Sequence, residues 1–203
     1  MPKVSDEYAQ AQKRHILNAA AHCFSNNGYR LTSMADIASK AELSVGALYR
    51  YFSTKDVLFQ ALFSSATQEN QTLWDEARKG ETAKDRFQLF IDQHFHMIND
   101  KECRWALALD ARLKVEALDD ARLANHVRQS YKTQIDELST LMLPTGAMKS
   151  QRMQAQTASI AIIALLNEAR YQALIGATGD LVKFKACILD VGNNLIASLD
   201  ATT

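Results

Sequence analysis

Residues 32 to 55 read TSMADIASKAELSVGALYRYFSTK, and their spacing decides the fold. Ser33 stands three places before Asp36, a capping box in which hydroxyl and carboxylate satisfy free N–H groups of a first helical turn. Ile37, Ala38 and Ala41 then fall on one inward face. Ser44 opens a short helix, Val45 to Phe52, after only two or three linking residues, the length of a helix-turn-helix corner. Ser53 with Asp56 repeats the capping box and opens a long helix through Val57, Leu58, Ala61 and Leu62 toward Gly80.

Upstream, Ile16, Leu17, Ala20, Cys23 and Phe24 recur at helical spacing, and Asn26, Asn27 and Gly28 supply a left-handed stop, so a first helix is predicted over 9–27. Downstream, five more helices are predicted at 82–99, 102–116, 119–143, 150–175 and 180–199. Gly80, Asn99 with Asp100, Leu118 to Asp120, Pro144 to Gly146 and Gly176 to Gly179 mark their boundaries. The expected fold is all-α with about nine helices: a helix-turn-helix domain over 1–54 and a helical domain over 55–203.

Composition agrees. The chain has 203 residues, 47% apolar and 23% charged, as ordinary globular chains do. Its two prolines, Pro2 and Pro144, leave positions 3 to 143 without a strong helix breaker. The longest apolar stretch, Ala158 to Leu166, is nine residues including Ser159, about half of the roughly 20 a membrane span needs. The first residues have no apolar core for export, so a cytoplasmic location is expected. Cys23, Cys103 and Cys187 fit neither a disulfide framework nor paired zinc spacing, and are expected to be reduced and mostly buried.

Lys plus Arg and Asp plus Glu number 23 each, so the chain lacks the overall basic excess of a general nucleic-acid binder. Distribution differs slightly: residues 1 to 63 hold seven basic groups against five acidic. The groups needed for DNA docking nevertheless occur in order. Helix N-termini at Ser33, Ser44 and Ser53 offer N–H groups to phosphate. Tyr49, Arg50, Tyr51 and Lys55 offer donors within two turns, while Val45, Gly46, Ala47 and Arg50 are placed to meet base edges in the major groove.

The elements Gly28-Tyr29, Asp36-Ile37-Ala38, Leu48-Tyr49-Arg50-Tyr51-Phe52 and Lys55-Asp56-Val57-Leu58, together over about 50 residues, resemble the TetR (tetracycline-repressor-type) family of transcription regulators. The resemblance implies an all-helical homodimer with an N-terminal DNA-binding domain, a dimerising C-terminal domain and a ligand pocket. It implies phosphate gripping by Tyr49 and Lys55 and backbone contacts by Thr32 and Ser33. Two positions depart from the family pattern. Glu42 replaces the usual glycine at the corner, so it must accept a left-handed conformation or alter the turn. Ala47 replaces a frequent threonine and leaves a methyl that can meet a thymine methyl.

Beyond residue 63 the residues themselves must carry the reading. Leu181, Phe184, Ile188, Val191, Leu195 and Leu199 draw one apolar seam. Ala158, Ala161, Ile162, Leu165, Leu166, Ala169 and Ala173 draw another. Paired with a second copy, these last two helices make a four-helix interface; alternatively they only close the monomer core. Gly192 costs its helix about 1 kcal/mol against alanine, which fits a close helix approach. Polar residues interrupting apolar faces are the ligand candidates: His94, Trp105, Asp110, Arg112, Asn167, Glu168 and Tyr171, with His96, Asn99 and Arg170 beside them. Arg112 and Glu168 could equally form a structural ion pair.

No metal site is expected, because His94 and His96 lie about 200° apart around a helix and default to a solvated pair. No cofactor is expected. Motifs for a nucleophile elbow, a phosphate loop, a zinc protease or a paired-cysteine redox centre are absent, which argues against an enzyme. The expected activity is ligand-responsive binding to a palindromic operator as a dimer, more often as a repressor, with an effector of unidentified chemistry. The alternative is a helical protein-interaction module that no longer binds DNA.

Overall fold

A computed structural model describes residues 6–100, 103–144, 146–177 and 180–201, with backbone alone for 66–70. Pro2, Lys3 and the export reading of the first residues, the start of the helix predicted from 102, and the boundary positions Thr145 and Gly179 lie outside the described residues. The described residues form nine α-helices and no strand.

The first helix, α1 (Asp6–Leu31), is broken at Gly28, whose φ of 81° and ψ of 164° are not helical. The predicted stop is therefore a kink, beyond which a short turn continues to Leu31. A Cβ at Gly28 would lie 2.2 Å from Oε1 of Glu116, so this site needs glycine for its backbone angle and for its neighbour. Helix α2 (Met34–Lys40) begins in the predicted capping box of Ser33 and Asp36, which holds the Asp36 carboxyl below the usual range through bonds from the Ser33 hydroxyl and N–H. Glu42 forms the corner with φ 53°, accepting the left-handed conformation. Helix α3 (Val45–Tyr51) is capped by Ser44, whose hydroxyl accepts the Ala47 N–H.

The next cap differs from expectation. Thr54, not Ser53, caps α4 (Lys55–Ala77) by accepting the Val57 N–H at 3.1 Å. Two adjacent hydroxyl residues are both competent caps, and only backbone geometry selects between them. The rest comprises α5 (Ala83–Asn99), α6 (Arg104–Glu116), α7 (Ala121–Met142), α8 (Lys149–Leu174) and α9 (Leu181–Asp200).

Two apolar clusters organise these helices. Ile16, Phe24, Ile37 and Leu48 join Leu58 and Phe59 of α4, Leu109 and Leu113 of α6, and Leu123 of α7 in the first. Phe87 and Ile91 of α5, Leu138 and Met142 of α7, Ile162 and Leu166 of α8, and Ile188 and Ile196 of α9 build the second. Gly192 is an intramolecular approach site: a Cβ there would meet the Phe87 ring at 2.0 Å. Most of both predicted seams face this core. Leu181, Ile188, Leu199, Ala158, Ile162, Leu166, Ala169 and Ala173 are buried within the chain, so for them the monomer-closing alternative holds. Only Cys23 is a buried thiol; Cys103 is half-buried and Cys187 exposed, against the expectation of mostly buried cysteines.

Candidate nucleic-acid interface

Helix α3 is anchored by one side and bare on the other. Leu48 and Phe52 are buried in the first core, while Val45 is 40% exposed, Tyr49 49% exposed, and Gly46 and Arg50 exposed. Residues one turn apart share a face, so Val45 with Tyr49 and Gly46 with Arg50 form one outward surface. Nothing lies within 4 Å of a Cβ built on Gly46. Ala47 is half-buried, as is Tyr51, which packs against the core and so is less available as a donor than the sequence suggested. Ser33 and Ser44 are exposed at the N-termini of α2 and α3, their hydroxyls engaged as caps. The corner is tied to α1 by His15 Nε2, 3.1 Å from the Ala41 carbonyl.

Two predicted phosphate contacts have other partners. Thr32 is 1% exposed, and its hydroxyl donates to the Gly28 carbonyl at 2.7 Å. The Lys55 ammonium donates to the carbonyls of Tyr29 at 2.7 Å, Thr32 at 2.9 Å and Arg30 at 3.4 Å, and lies 4.5 Å from the Tyr29 ring centroid. Its three protons are taken, and burial holds its pKa below the ordinary lysine value. Lys55 thus closes the carbonyl end of α1, where a cation is favoured.

Residues 16–62 match the family model of bacterial regulatory proteins of the tetR family. Over those residues the chain is a tetR-type helix-turn-helix. It is 28% identical over 179 residues to the transcriptional regulator TtgR of Pseudomonas putida, covering 82% of each chain. It is 24% identical over 135 residues to the fatty acid metabolism regulator protein of Bacillus subtilis, covering 66% of this chain and 69% of that one. The crystal structure of FadR from Bacillus subtilis in complex with stearoyl-CoA superposes with a TM-score of 0.68 at 19% identity, over 88% of this chain and 96% of that one.

This tetR-type helix-turn-helix is held to the remaining helices by a polar joint that the sequence did not disclose. The Glu116 carboxylate accepts the backbone N–H groups of Tyr29 at 2.9 Å and Arg30 at 3.2 Å. The Tyr29 hydroxyl donates to Asp56, which also pairs with Arg122 at 3.0 Å. Burial, reinforced by Asp56, pushes the Tyr29 phenol pKa up. No local pattern marks these partners, which lie 27 to 87 residues apart.

The candidate effector residues separate into three groups. Arg112, Glu168, Tyr171, His96 and Asn99 are exposed. Glu168 accepts from Gln172 at 2.6 Å, and no ion pair joins it to Arg112 among the described residues. Trp105 faces α1, its ring centroid 5.5 Å from that of His22. His94, Asp110, Asn167 and Arg170 come together between α5, α6 and α8, joined by Lys114. His94 is buried rather than solvated, and burial together with the Arg170 charge holds its pKa well below the ordinary imidazole value.

Proposed function

We propose that this chain is a repressor that binds a palindromic operator as a homodimer in the cytoplasm and releases it when a small molecule enters the C-terminal domain. The outward face of α3 carries the reading. Val45, Gly46 and Arg50 meet base edges, Ala47 supplies a methyl at the margin, and Tyr49 grips phosphate with the N-termini at Ser33 and Ser44. A corner retained only for structure has no need of an unblocked glycine and of an exposed arginine that forms no ion pair among the described residues.

Pairing of two copies uses a face offset from the predicted seams. Helix α8 leaves Met153, Ile160 and Tyr171 exposed, as is its C-cap Ile175, and Val182 of α9 is 82% exposed. Large apolar side chains recurring on one solvent face favour a second copy of the same face under two-fold symmetry. Ile160→Glu with Val182→Glu should then leave monomers in sedimentation.

Release by a small molecule accords with the stearoyl-CoA bound to the Bacillus subtilis neighbour. Effector binding shifts α4, which leads from the helix-turn-helix into the C-terminal domain, and changes the distance between the two copies of α3. A differential affinity of about 1 to 3 kcal/mol between the two arrangements suffices for such coupling.

The test is selection of bound fragments from a random DNA pool with purified full-length protein. The expected product is an inverted repeat with half-site centres at least about 34 Å apart, bound with an affinity that falls by about 0.9 log units per log unit of salt for each phosphate neutralised. Asymmetric products, or retention without salt dependence, would overturn the reading and leave a protein-interaction module.

A further inference from the structure

The polar cluster between α5, α6, α7 and α8 carries more positive charge than its carboxylates neutralise. Arg170 is half-buried, and among the described residues its guanidinium hydrogen-bonds only neutral groups, His94 Nε2 and, at 3.4 Å, the amide oxygen of Asn167, while the Asp110 carboxylate acts on it from a longer distance. No ion pair of Arg170 occurs among the described residues. Lys114 brings a second cation, 2.7 Å from Asp110 Oδ2 and 3.1 Å from the same Asn167 oxygen. Two permanent cations therefore share one carboxylate, and two donors share one amide oxygen, whose amide nitrogen reaches toward the Tyr131 hydroxyl at 3.5 Å. The histidine does not redress the balance, because it is held neutral.

Cations removed from water are ordinarily paired, since desolvation without a counter-charge is unfavourable by several kcal/mol. A guanidinium that meets only neutral acceptors in a crowded interior fits a function better than a stabilising role. Access follows a gradient. The Asp110 and Lys114 side chains are 46% and 34% exposed, Arg170 lies deeper, and His94 is buried. Behind His94 stand Phe90, with ring centroids 4.7 Å apart, and Trp74, stacked on Phe90 at 4.6 Å. The charged groups thus stand outermost, and the packed rings of Phe90 and Trp74 lie beyond His94.

We infer that the effector is an amphipathic anion whose oxyanion head pairs with Arg170 and Lys114, replacing His94 and Asn167 as acceptors, while its apolar body lies toward Phe90 and Trp74. This rests on the ligand-responsive reading above and adds the chemical class of the ligand. Guanidinium favours planar, bidentate oxyanions, so a carboxylate or a phosphate head would both fit.

The test uses full-length protein with four probes sharing one alkyl chain: decanoate, decyl phosphate, decanol and decyltrimethylammonium. Thermal melts without DNA report binding, and release of the selected operator reports coupling. At least one of the two anions should raise the melting temperature and release the operator at concentrations tenfold or more below those needed with decanol or the cation; which anion does so identifies the head. Arg170→Gln should weaken that anion at least tenfold, Arg170→Lys less, and Arg128→Gln, exposed on α7, not at all. Should Arg170→Gln fail to melt cooperatively, Lys114→Gln replaces it with the same expectation.

Equal responses to decanol and the anions, no response to any probe, or undiminished anion binding by the folded variants would overturn the inference. An Arg170-dependent melt shift in a protein that selects no operator would instead uphold the site and overturn the repressor reading.

Discussion

Glu116 and Tyr29, 87 residues apart, are joined by a hydrogen bond of 2.9 Å in which the α6 carboxylate accepts a backbone N–H just past the kink in α1. Its other oxygen accepts the N–H of Arg30 at 3.2 Å. Gly28 breaks the helix and leaves these donors without intrahelical acceptors, and Glu116 satisfies both. The same break lets Lys55 collect the carbonyls at Tyr29, Arg30 and Thr32. One short segment is therefore gripped by a carboxylate from α6 and an ammonium from α4. Asp110 and Lys114 stand on the helix that ends at Glu116, so one element joins the polar cluster to this contact.

Removing that grip should be measurable. Glu116→Ala is expected to lower unfolding stability by about 1.5–3 kcal/mol, the range for hydrogen bonds to a charged group. Gly28→Ala should lower it by more than about 1 kcal/mol, because alanine at positive φ is unfavourable and its Cβ would displace the carboxylate. Urea denaturation checks both. Stability within about 0.5 kcal/mol of the parent for Glu116→Ala, the ordinary effect of a surface substitution, would remove the grip from the account.

At the helix-turn-helix corner, Glu42 sits at φ 53°, a conformation that disfavours a non-glycine residue by about 1–2 kcal/mol. Glycine relieves this while adding freedom to the unfolded chain, so the two effects partly cancel. Glu42→Gly should stabilise the protein by up to about 1 kcal/mol and leave operator affinity unchanged. A loss of stability would mean that the Glu42 side chain contributes more than the backbone strain removes.

The first 60 residues were legible because their signals are local. Caps at Ser33 and Ser44, the spacing to Leu48 and the glycine at 28 all act within a few residues, while the left-handed corner at Glu42 followed from the resemblance to the family pattern. What failed needed partners distant in sequence. Lys55 looked like a free ammonium until the carbonyls beyond the kink came within reach. The apolar seams of α8 and α9 were read correctly as stripes, but a stripe does not reveal whether it meets its own core or another copy. Phe87 against Gly192 answers that for α9, and no spacing rule contains it. His94 was misjudged for the same reason, since its burial is made by Phe90 and Arg170.

That burial has a consequence in acid. The native state holds His94 neutral, with a pKa well below 6.5, first by desolvation and then by the charge of Arg170. An unfolded histidine takes up a proton near pH 6.5. Below that pH the unfolded chain therefore binds more protons than the native one, and stability falls as pH drops from about 6.5 toward the native pKa, by up to about 1.4 kcal/mol per unit. Denaturation midpoints between pH 7.5 and 5.5 should fall more steeply for the parent than for His94→Gln. Parallel curves would show that His94 titrates as an ordinary histidine.

On the recognition face, stability and binding should part company. Gly46 lies in the first turn of α3, and a Cβ there would meet nothing within 4 Å. Alanine is the better helix former by up to about 1 kcal/mol, so Gly46→Ala should raise the denaturation midpoint. If α3 enters the major groove, the same methyl stands between backbone and base edges, and operator affinity should fall at least tenfold. Arg50→Ala, which removes an exposed side chain from the adjoining turn, should leave stability unchanged and weaken the operator more than unrelated DNA. Tyr49→Ala should weaken both alike, as expected of a phosphate contact. Gly46→Ala with improved stability and undiminished operator binding would place the bases beyond reach of this face.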